Sequence, residues 1–299
     1  MTQAMQITAF QHAIGPSHDR HGTRWKNQDA LAIHTSTLCR IVQKQHFEYV
    51  DHAACDHLVW VSVADGVSSS PHGDLASRSF LQVLHQYGAS AAMATAAQLP
   101  ARVRCAREEW QYRHRTEQTE GAATTLASLA CVNGQVCAVN SGDSRIWRIR
   151  PDATGHPVWL PISRDHTIWQ HMVDEGTVAQ EEREQYASLY QGLLHCLILG
   201  DDAQELSDED ADMATSTQDW LHVWQGQAQA GDIYLLASDG LHDTLGDAGL
   251  ESLWHPQREP ADNLRTLRQA YLDAGAPDDV SLVMLHLPDA HALDSRSAS

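Results

Sequence analysis

Apolar runs of strand length recur along this chain, and several of them adjoin turns that carry an aspartate. These turns are Asp65-Gly66, Gly142-Asp143, Asp165-His166, Asp239-Gly240 and Asp278-Asp279. A carboxylate at the end of a buried strand is well placed to bind a hard divalent cation. Because the turns are far apart in sequence and alike in context, they predict strands that converge on one metal centre. The pattern favours a metal-dependent hydrolase.

The spacing of the apolar runs also limits the fold. The pair Asn133-Gly134 separates two apolar runs and predicts a β-hairpin, the first half of a three-strand meander that ends near Arg150. The predicted strands begin at or cover residues 30, 58–64, 122–132, 135–140, 145–150, 220–225, 232–237 and 280–287. The predicted helices cover residues 75–86, 91–112, 167–175 and 248–274, and residues 43–56 are expected to be irregular. Hairpin-linked strands favour antiparallel sheets with helices outside them, in one domain.

Composition narrows the class of partner. The formal charge of −19 disfavours binding to nucleic acid or to an anionic membrane. The six cysteines form no CxxC pair, and residues 1–10 lack the features of a signal peptide, so a reduced, cytoplasmic protein without a membrane span is expected. The 19 histidines are dispersed, and they are expected on the surface or hydrogen-bonded in the core rather than as metal ligands.

Seven segments, in this order, resemble the metal-dependent protein phosphatases of the protein phosphatase 2C family. They are Arg24-x-x-x-Gln28-Asp29-Ala30, Val63-Ala64-Asp65-Gly66, Gly121-x-x-Thr124-Thr125, Gly142-Asp143-Ser144-Arg145, Asp165-His166, Ser238-Asp239-Gly240-Leu241 and Asp278-Asp279. The resemblance runs from about residue 22 to residue 287. It implies an α+β fold, a four-layer α-β-β-α sandwich of two antiparallel sheets flanked by helices.

The resemblance also implies an active site with two Mn²⁺ or Mg²⁺ ions. Asp65 would bridge both ions, and Gly66 would offer its carbonyl oxygen to the second. Asp239 and Asp278 would complete the first site, and Arg24 would bind the substrate phosphate through its planar guanidinium group. Arg24 and Asp65 are thus the predicted catalytic residues.

Two further carboxylates, Asp143 and Asp243, match family positions associated with a third, weaker ion. For Asp143 a purely structural role in its turn is an equal alternative. Asp165 precedes a predicted helix and is expected to cap it, without a catalytic role.

The chain departs from bacterial family members in the loop after Asp65, which reads Val67-Ser68-Ser69-Ser70 where glycines and a histidine are usual. His72 is a candidate replacement for that histidine as a proton donor. Gln28 stands where some members have Glu, and Asp279 stands where Asn is usual. No predicted metal ligand is lost.

The expected organisation is one catalytic domain over residues 1–290, with a flap at about 166–200 and a flexible tail at 291–299. The leading hypothesis is a monomeric Ser/Thr phosphoprotein phosphatase whose partners are phosphorylated proteins and a Ser/Thr kinase acting in trans. The altered loop leaves open a catalytically weak or inactive module that binds or regulates a partner. A hydrolase of small phosphoesters is a third reading.

Overall fold

The computed structural model describes residues 4–13, 26–54, 57–90, 93–179, 182, 192–200 and 220–287. Its framework is two six-stranded sheets in which every strand pair is antiparallel. Among the described residues, no helix combines the length and the apolar character needed to span a bilayer.

The first sheet has the order β10-β9-β13-β14-β1-β4. Its strands, in chain order, are β1 (Ala4–His12), β4 (His46–Ala54), β9 (Arg145–Pro151), β10 (Pro157–Pro161), β13 (Ile233–Ala237) and β14 (Val280–His286). The central strands β13 and β14 are Val-, Ile- and Leu-rich, as expected for strands covered on both faces.

The second sheet has the order β12-β8-β7-β5-β2-β3. Its strands are β2 (Asp29–Thr35), β3 (Cys39–Val42), β5 (Val59–Asp65), β7 (Leu126–Val132), β8 (Gln135–Ser141) and β12 (His222–Gln227). Two short strands, β6 (Ala123–Thr124) and β11 (Leu197–Ile198), pair separately from both sheets.

Three hydrophobic clusters define four layers. One cluster fills the space between the sheets, where Ile7 and Val283 of the first meet Val61 and Leu129 of the second. The second packs the outer face of the second sheet against the helices α1 (Gly73–Ser90) and α2 (Leu99–His114). The third packs the first sheet against the helices α4 (Asp239–Leu245), α5 (Asp247–Leu253) and α6 (Pro260–Asp273). The expected α-β-β-α sandwich is confirmed.

The prediction of irregular structure at residues 43–56 was wrong for most of that range, because β4 occupies His46–Ala54. This strand lies at the sheet edge, where polar residues can face water, so it lacks the apolar run that marks a buried strand. Its partner β1 lies about 40 residues earlier in the chain, and that pairing leaves no local pattern.

Two smaller predictions also need correction. The predicted meander is interrupted, since β7 and β8 belong to the second sheet and β9 crosses to the first. The predicted helix 91–112 begins only at Leu99, after a short 3₁₀ turn (Ala96–Gln98), because Pro100 favours the first turn of a helix.

Candidate metal centre

Four aspartates that the sequence predicted as ligands line one cleft of about 500 Å³. Asp65 ends β5 of the second sheet, and Asp143 lies in the turn between β8 and β9. Asp239 begins α4 directly after β13, and Asp278 precedes β14. Both sheets therefore deliver carboxylates to the same end of the sandwich.

The backbone around Asp65 is held by two threonines. The Asp65 amide donates to Thr125 Oγ1 over 3.0 Å. The Asp65 carbonyl accepts from Thr124 Oγ1 and from the Thr125 amide, each over 2.8 Å. Thr125 Oγ1 also lies 2.7 Å from Ser144 Oγ, beside Asp143. These hydroxyls fix the carboxylate-bearing segments relative to one another, a role that strand propensity alone did not indicate.

Two glycines permit close backbone approaches at the cleft. A Cβ on Gly66 would lie 2.3 Å from the Gly73 carbonyl carbon, where α1 begins. A Cβ on Gly240 would lie 2.1 Å from the Asp279 carbonyl oxygen. Glycine after Asp65 and after Asp239 is therefore a packing requirement of the site.

Asp29 is a further carboxylate at this site, and the sequence analysis did not include it among the ligands. It is fully buried and pairs with Asp65 across β2 and β5. The Ser238 hydroxyl donates to Asp29 Oδ2 over 2.7 Å, whereas Oδ1 has no hydrogen-bond partner. The clue available from sequence was an acidic residue at the head of an otherwise apolar strand.

Crowding of negative charge perturbs these groups. Burial, followed by the charges of Asp29 and Asp239, raises the pKa of Asp65 well above its usual range. Burial and then the charge of Asp239 raise the pKa of Asp143 in the same way. The protein packed around its carboxyl group, followed by the charge of Asp239, raises the pKa of Asp278 to about 7. The cluster thus favours a positive charge in its midst.

The residues present fit a hard divalent cation. The buried Asp239 Oδ1 atom has no hydrogen-bond partner, so its lone pairs are available to a cation. The ligands predicted in the cleft are carboxylate oxygens and the Gly66 carbonyl oxygen, the kind of donor that Mg²⁺ and Mn²⁺ prefer.

The other predicted residues stand as follows. Gly66 lines the cleft. Asp243 lies one helical turn after Asp239 on α4, and its charge acts on Asp143 and Asp278. Arg24 lies outside the described residues.

The serine loop after Asp65 forms one wall of the cleft. Ser70 Oγ donates to the Val67 carbonyl over 2.7 Å and accepts from the Ala123 amide over 3.1 Å, so the loop is tied to β6. His72, the candidate proton donor, is exposed and is not among the described residues that line the cleft.

Asp165 does not cap the following helix α3 (Ile168–Asp174), contrary to expectation. The cap is Thr167, whose hydroxyl accepts from the Gln170 amide over 3.2 Å. The Asp165 carboxylate instead binds the Arg145 guanidinium group, with nitrogen–oxygen distances of 2.6–3.0 Å. An ion pair across 20 residues leaves no local pattern, whereas a helix cap does.

The fold and the acidic cleft agree with a comparison against known families. A family model described as protein phosphatase 2C matches residues 14–271. The chain belongs to the protein phosphatase 2C family.

A curated relative in this family is the serine/threonine protein phosphatase PstP of Mycobacterium tuberculosis. It is 28% identical over 232 residues, which are 77% of this chain and 40% of PstP. The chain therefore spans less than half the length of this relative.

Solved structures of family members share the fold. The catalytic domain of PstP in complex with two manganese ions superposes with a TM-score of 0.65 at 23% identity, covering 96% of this chain and 100% of that domain. The phosphatase Stp1 from Staphylococcus aureus superposes with a TM-score of 0.69 at 19% identity, covering 96% and 95% of the two chains.

Proposed function

We propose that this protein is a metal-dependent Ser/Thr phosphoprotein phosphatase, which hydrolyses phosphoserine and phosphothreonine side chains. The observation that carries the proposal is the convergence of four aspartates in one cleft of a protein phosphatase 2C chain. The two manganese ions in the PstP catalytic domain support Mn²⁺ or Mg²⁺ as the cofactor.

In this proposal a pair of ions would be bound by the carboxylates of Asp65, Asp239 and Asp278 and by the Gly66 carbonyl. Asp143 and Asp243 would bind a third, weaker ion. Two such ions, when bound, acidify a water molecule and offset the charge that develops on the phosphoryl oxygens.

The protein's own contribution is to hold the ligands before substrate arrives. Thr124 and Thr125 fix the Asp65 backbone, and Ser238 orients the buried Asp29 behind it. Carboxylates that are already in place need no reorganisation during the reaction. Arg24 binds the substrate phosphate in this scheme.

The proposal extends to the protein's setting. The substrates are phosphorylated proteins, and the opposing enzyme is a Ser/Thr kinase acting in trans within a cytoplasmic signalling system. The chain acts as a monomer with one catalytic domain at residues 1–290, a flap at about 166–200 that influences substrate choice, and a tail at 291–299.

Hydrolysis of a phosphothreonine peptide tests the proposal. With Mn²⁺ the wild-type protein should release phosphate, and EDTA should abolish the release. Asp239→Asn should lower kcat/KM at least about 100-fold, since it removes a charged ligand of the first ion. Glu251→Gln, an exposed carboxylate outside the cleft, is the matched control and should keep full activity.

The altered loop from Val67 to Ser70 motivates a second hypothesis, which the comparisons do not favour: a phosphatase-fold module that binds phosphoproteins without hydrolysing them. Equal phosphate release from wild type, EDTA-treated protein and Asp239→Asn would favour this module. Faster hydrolysis of small phosphoesters than of phosphopeptides would instead favour a small-molecule hydrolase.

A further inference from the structure

A second group of metal-ligating side chains lies away from the acidic cleft. His34 is on β2, Cys39 is on the neighbouring edge strand β3, and His85 is on α1, which packs over these strands. One ring nitrogen of each histidine and Cys39 Sγ lie within 4.8 Å of one another. Three elements thus bring two imidazoles and a thiol to one point.

Both imidazoles have a nitrogen available for a ligand. His34 is 7% exposed and His85 is fully buried, and the Nδ1 atom of each has no hydrogen-bond partner. Buried polar atoms of this kind are uncommon, and a cation bound at these nitrogens would satisfy them.

The other nitrogen of His85 is already engaged. Its Nε2 atom hydrogen-bonds with Ser62 Oγ over 2.9 Å, and Ser62 Oγ lies 2.8 Å from Ser128 Oγ. Trp60 Nε1 donates to Ser128 Oγ over 2.8 Å. A hydrogen bond at one ring nitrogen orients the other, as is usual for metal-ligating histidines.

The protonation of the group suits a cation. Burial and then the charge of Arg102 lower the pKa of His34, and burial and then His34 lower the pKa of His85, so both rings are neutral at pH 7. The protein around its sulfur raises the pKa of Cys39, and a bound cation would displace the thiol proton. The resulting thiolate offsets the nearby positive charge of Arg102.

We propose that His34, Cys39 and His85 form a binding site for a transition cation of the Zn²⁺ class, separate from the catalytic ions. Two imidazole nitrogens and one thiolate suit Zn²⁺ and Co²⁺, whereas Mg²⁺ and Mn²⁺ prefer oxygen ligands. Solvent supplies the fourth ligand, because Cys39 is exposed.

Binding a tetrahedral cation requires at most a small movement of the ligands. Ligand atoms around a tetrahedral Zn²⁺ lie roughly 3.5 Å apart. The three candidate ligand atoms lie no more than 4.8 Å from one another. Cys39 can supply that shift, because β3 is a four-residue strand at the sheet edge.

The bound cation would cross-link β2, β3 and α1. His34 lies five residues along β2 from Asp29, about 17 Å at the rise of an extended strand. The site is therefore distinct from the cleft, and its first expected effect is on stability, because a ligand that binds only the folded state raises the melting temperature.

Cobalt titration tests the proposal without any need for phosphatase activity. The full chain, in excess Mg²⁺ and a phosphine reductant, is titrated with Co²⁺ while the near-ultraviolet thiolate-to-cobalt band is recorded. Wild type should develop this band at one equivalent, and Zn²⁺ should displace it. Cys39→Ser should lose the band.

Two variants serve as matched controls. Cys105→Ser removes another exposed thiol, and Cys196→Ser removes the thiol that lines the acidic cleft. Both should retain the band. No band in wild type, or a band that survives in Cys39→Ser, would overturn the proposal.

Thermal unfolding gives an independent reading. Zn²⁺ should raise the melting temperature of wild type and of Cys105→Ser, and the apparent Zn²⁺ affinity of Cys39→Ser should be at least about tenfold lower. An equal rise in wild type and Cys39→Ser would contradict the assignment of Cys39.

Discussion

At the scale of single residues, Asp65 belongs to a backbone segment that is held on both sides by hydrogen bonds. Its amide and carbonyl groups are both bound by the threonine pair, and its carboxyl group faces Asp29 and Asp239. Asp143, by contrast, sits in the turn between β8 and β9, which is shaped by Gly142, whose φ of +94° requires glycine. The two carboxylates should therefore differ in importance, although both line the cleft.

We predict that Asp65→Asn loses more Mn²⁺ binding than Asp143→Asn, because in the proposed centre Asp65 bridges two ions. Calorimetric titration should show no high-affinity Mn²⁺ site in Asp65→Asn. Asp143→Asn should keep two sites with affinities within about tenfold of wild type. Unchanged stoichiometry in Asp65→Asn would refute the bridging role.

At the scale of elements, one hydroxyl group joins two of the segments that carry the aspartates of the cleft. Thr125 Oγ1 accepts from the Asp65 amide at the end of β5 and lies 2.7 Å from Ser144 Oγ in the turn before β9. Since β9 belongs to the other sheet, this contact helps to fix the position of one sheet relative to the other at the cleft.

Replacing Thr125 with valine should uncouple these segments. Thr125→Val keeps the side-chain shape but leaves the Asp65 amide without its acceptor, so the free energy of unfolding should fall by about 1–3 kcal/mol. Its Mn²⁺ affinity should fall about tenfold or more, as is typical when a group that supports a metal ligand is removed. Urea denaturation and calorimetry measure the two effects.

Thr8→Val is the matched control for this variant. Thr8 is also buried, but its hydroxyl oxygen has no hydrogen-bond partner. The substitution should not lower stability and should leave Mn²⁺ binding unchanged. Equal Mn²⁺ affinities in the two valine variants would contradict the coupling.

At the scale of the whole molecule, the strand β1 closes the first sheet by pairing with β14 and with β4. The ring of His12, at its end, contacts the His46 ring of β4 in a tilted arrangement and the Tyr271 ring of α6 edge to face. Burial, followed by the charges of His46 and Arg268, lowers the pKa of His12. Its protonation is therefore linked to global unfolding.

The pH dependence of stability follows from that shift. The unfolded state binds the proton at a pKa of about 6.5, whereas the folded state binds it only at lower pH. The free energy of unfolding should thus fall as the pH drops through about 6.5, with a slope of at most about 1.4 kcal/mol per pH unit from this group. His12→Gln should show a shallower decline between about pH 7 and pH 5 in denaturant titrations. His156→Gln, an exposed histidine, is the control and should match wild type.

The features predicted correctly from the sequence depend on local patterns, whereas the features that were missed depend on long-range contacts. The run before Asp65 and the hairpin at Asn133-Gly134 were readable because each depends on neighbours in the chain. The edge strand β4 was missed because its pairing with β1 and its exposure are tertiary properties. Asp29 was missed as a site residue for the same reason.

The sequence by itself determined the set of acidic turns and the antiparallel, helix-covered sheets, because turns and apolar periodicity are properties of the chain. The order of the motifs gave the resemblance to the family, which in turn implied the four-layer fold. Only the tertiary structure decided which turns meet. It brought Asp65, Asp143, Asp239 and Asp278 to one cleft, since strands from both sheets end there. It paired Asp165 with Arg145 and gathered His34, Cys39 and His85 from two strands and a helix. Such contacts join residues whose separation in sequence carries no periodic signal, so packing alone establishes them.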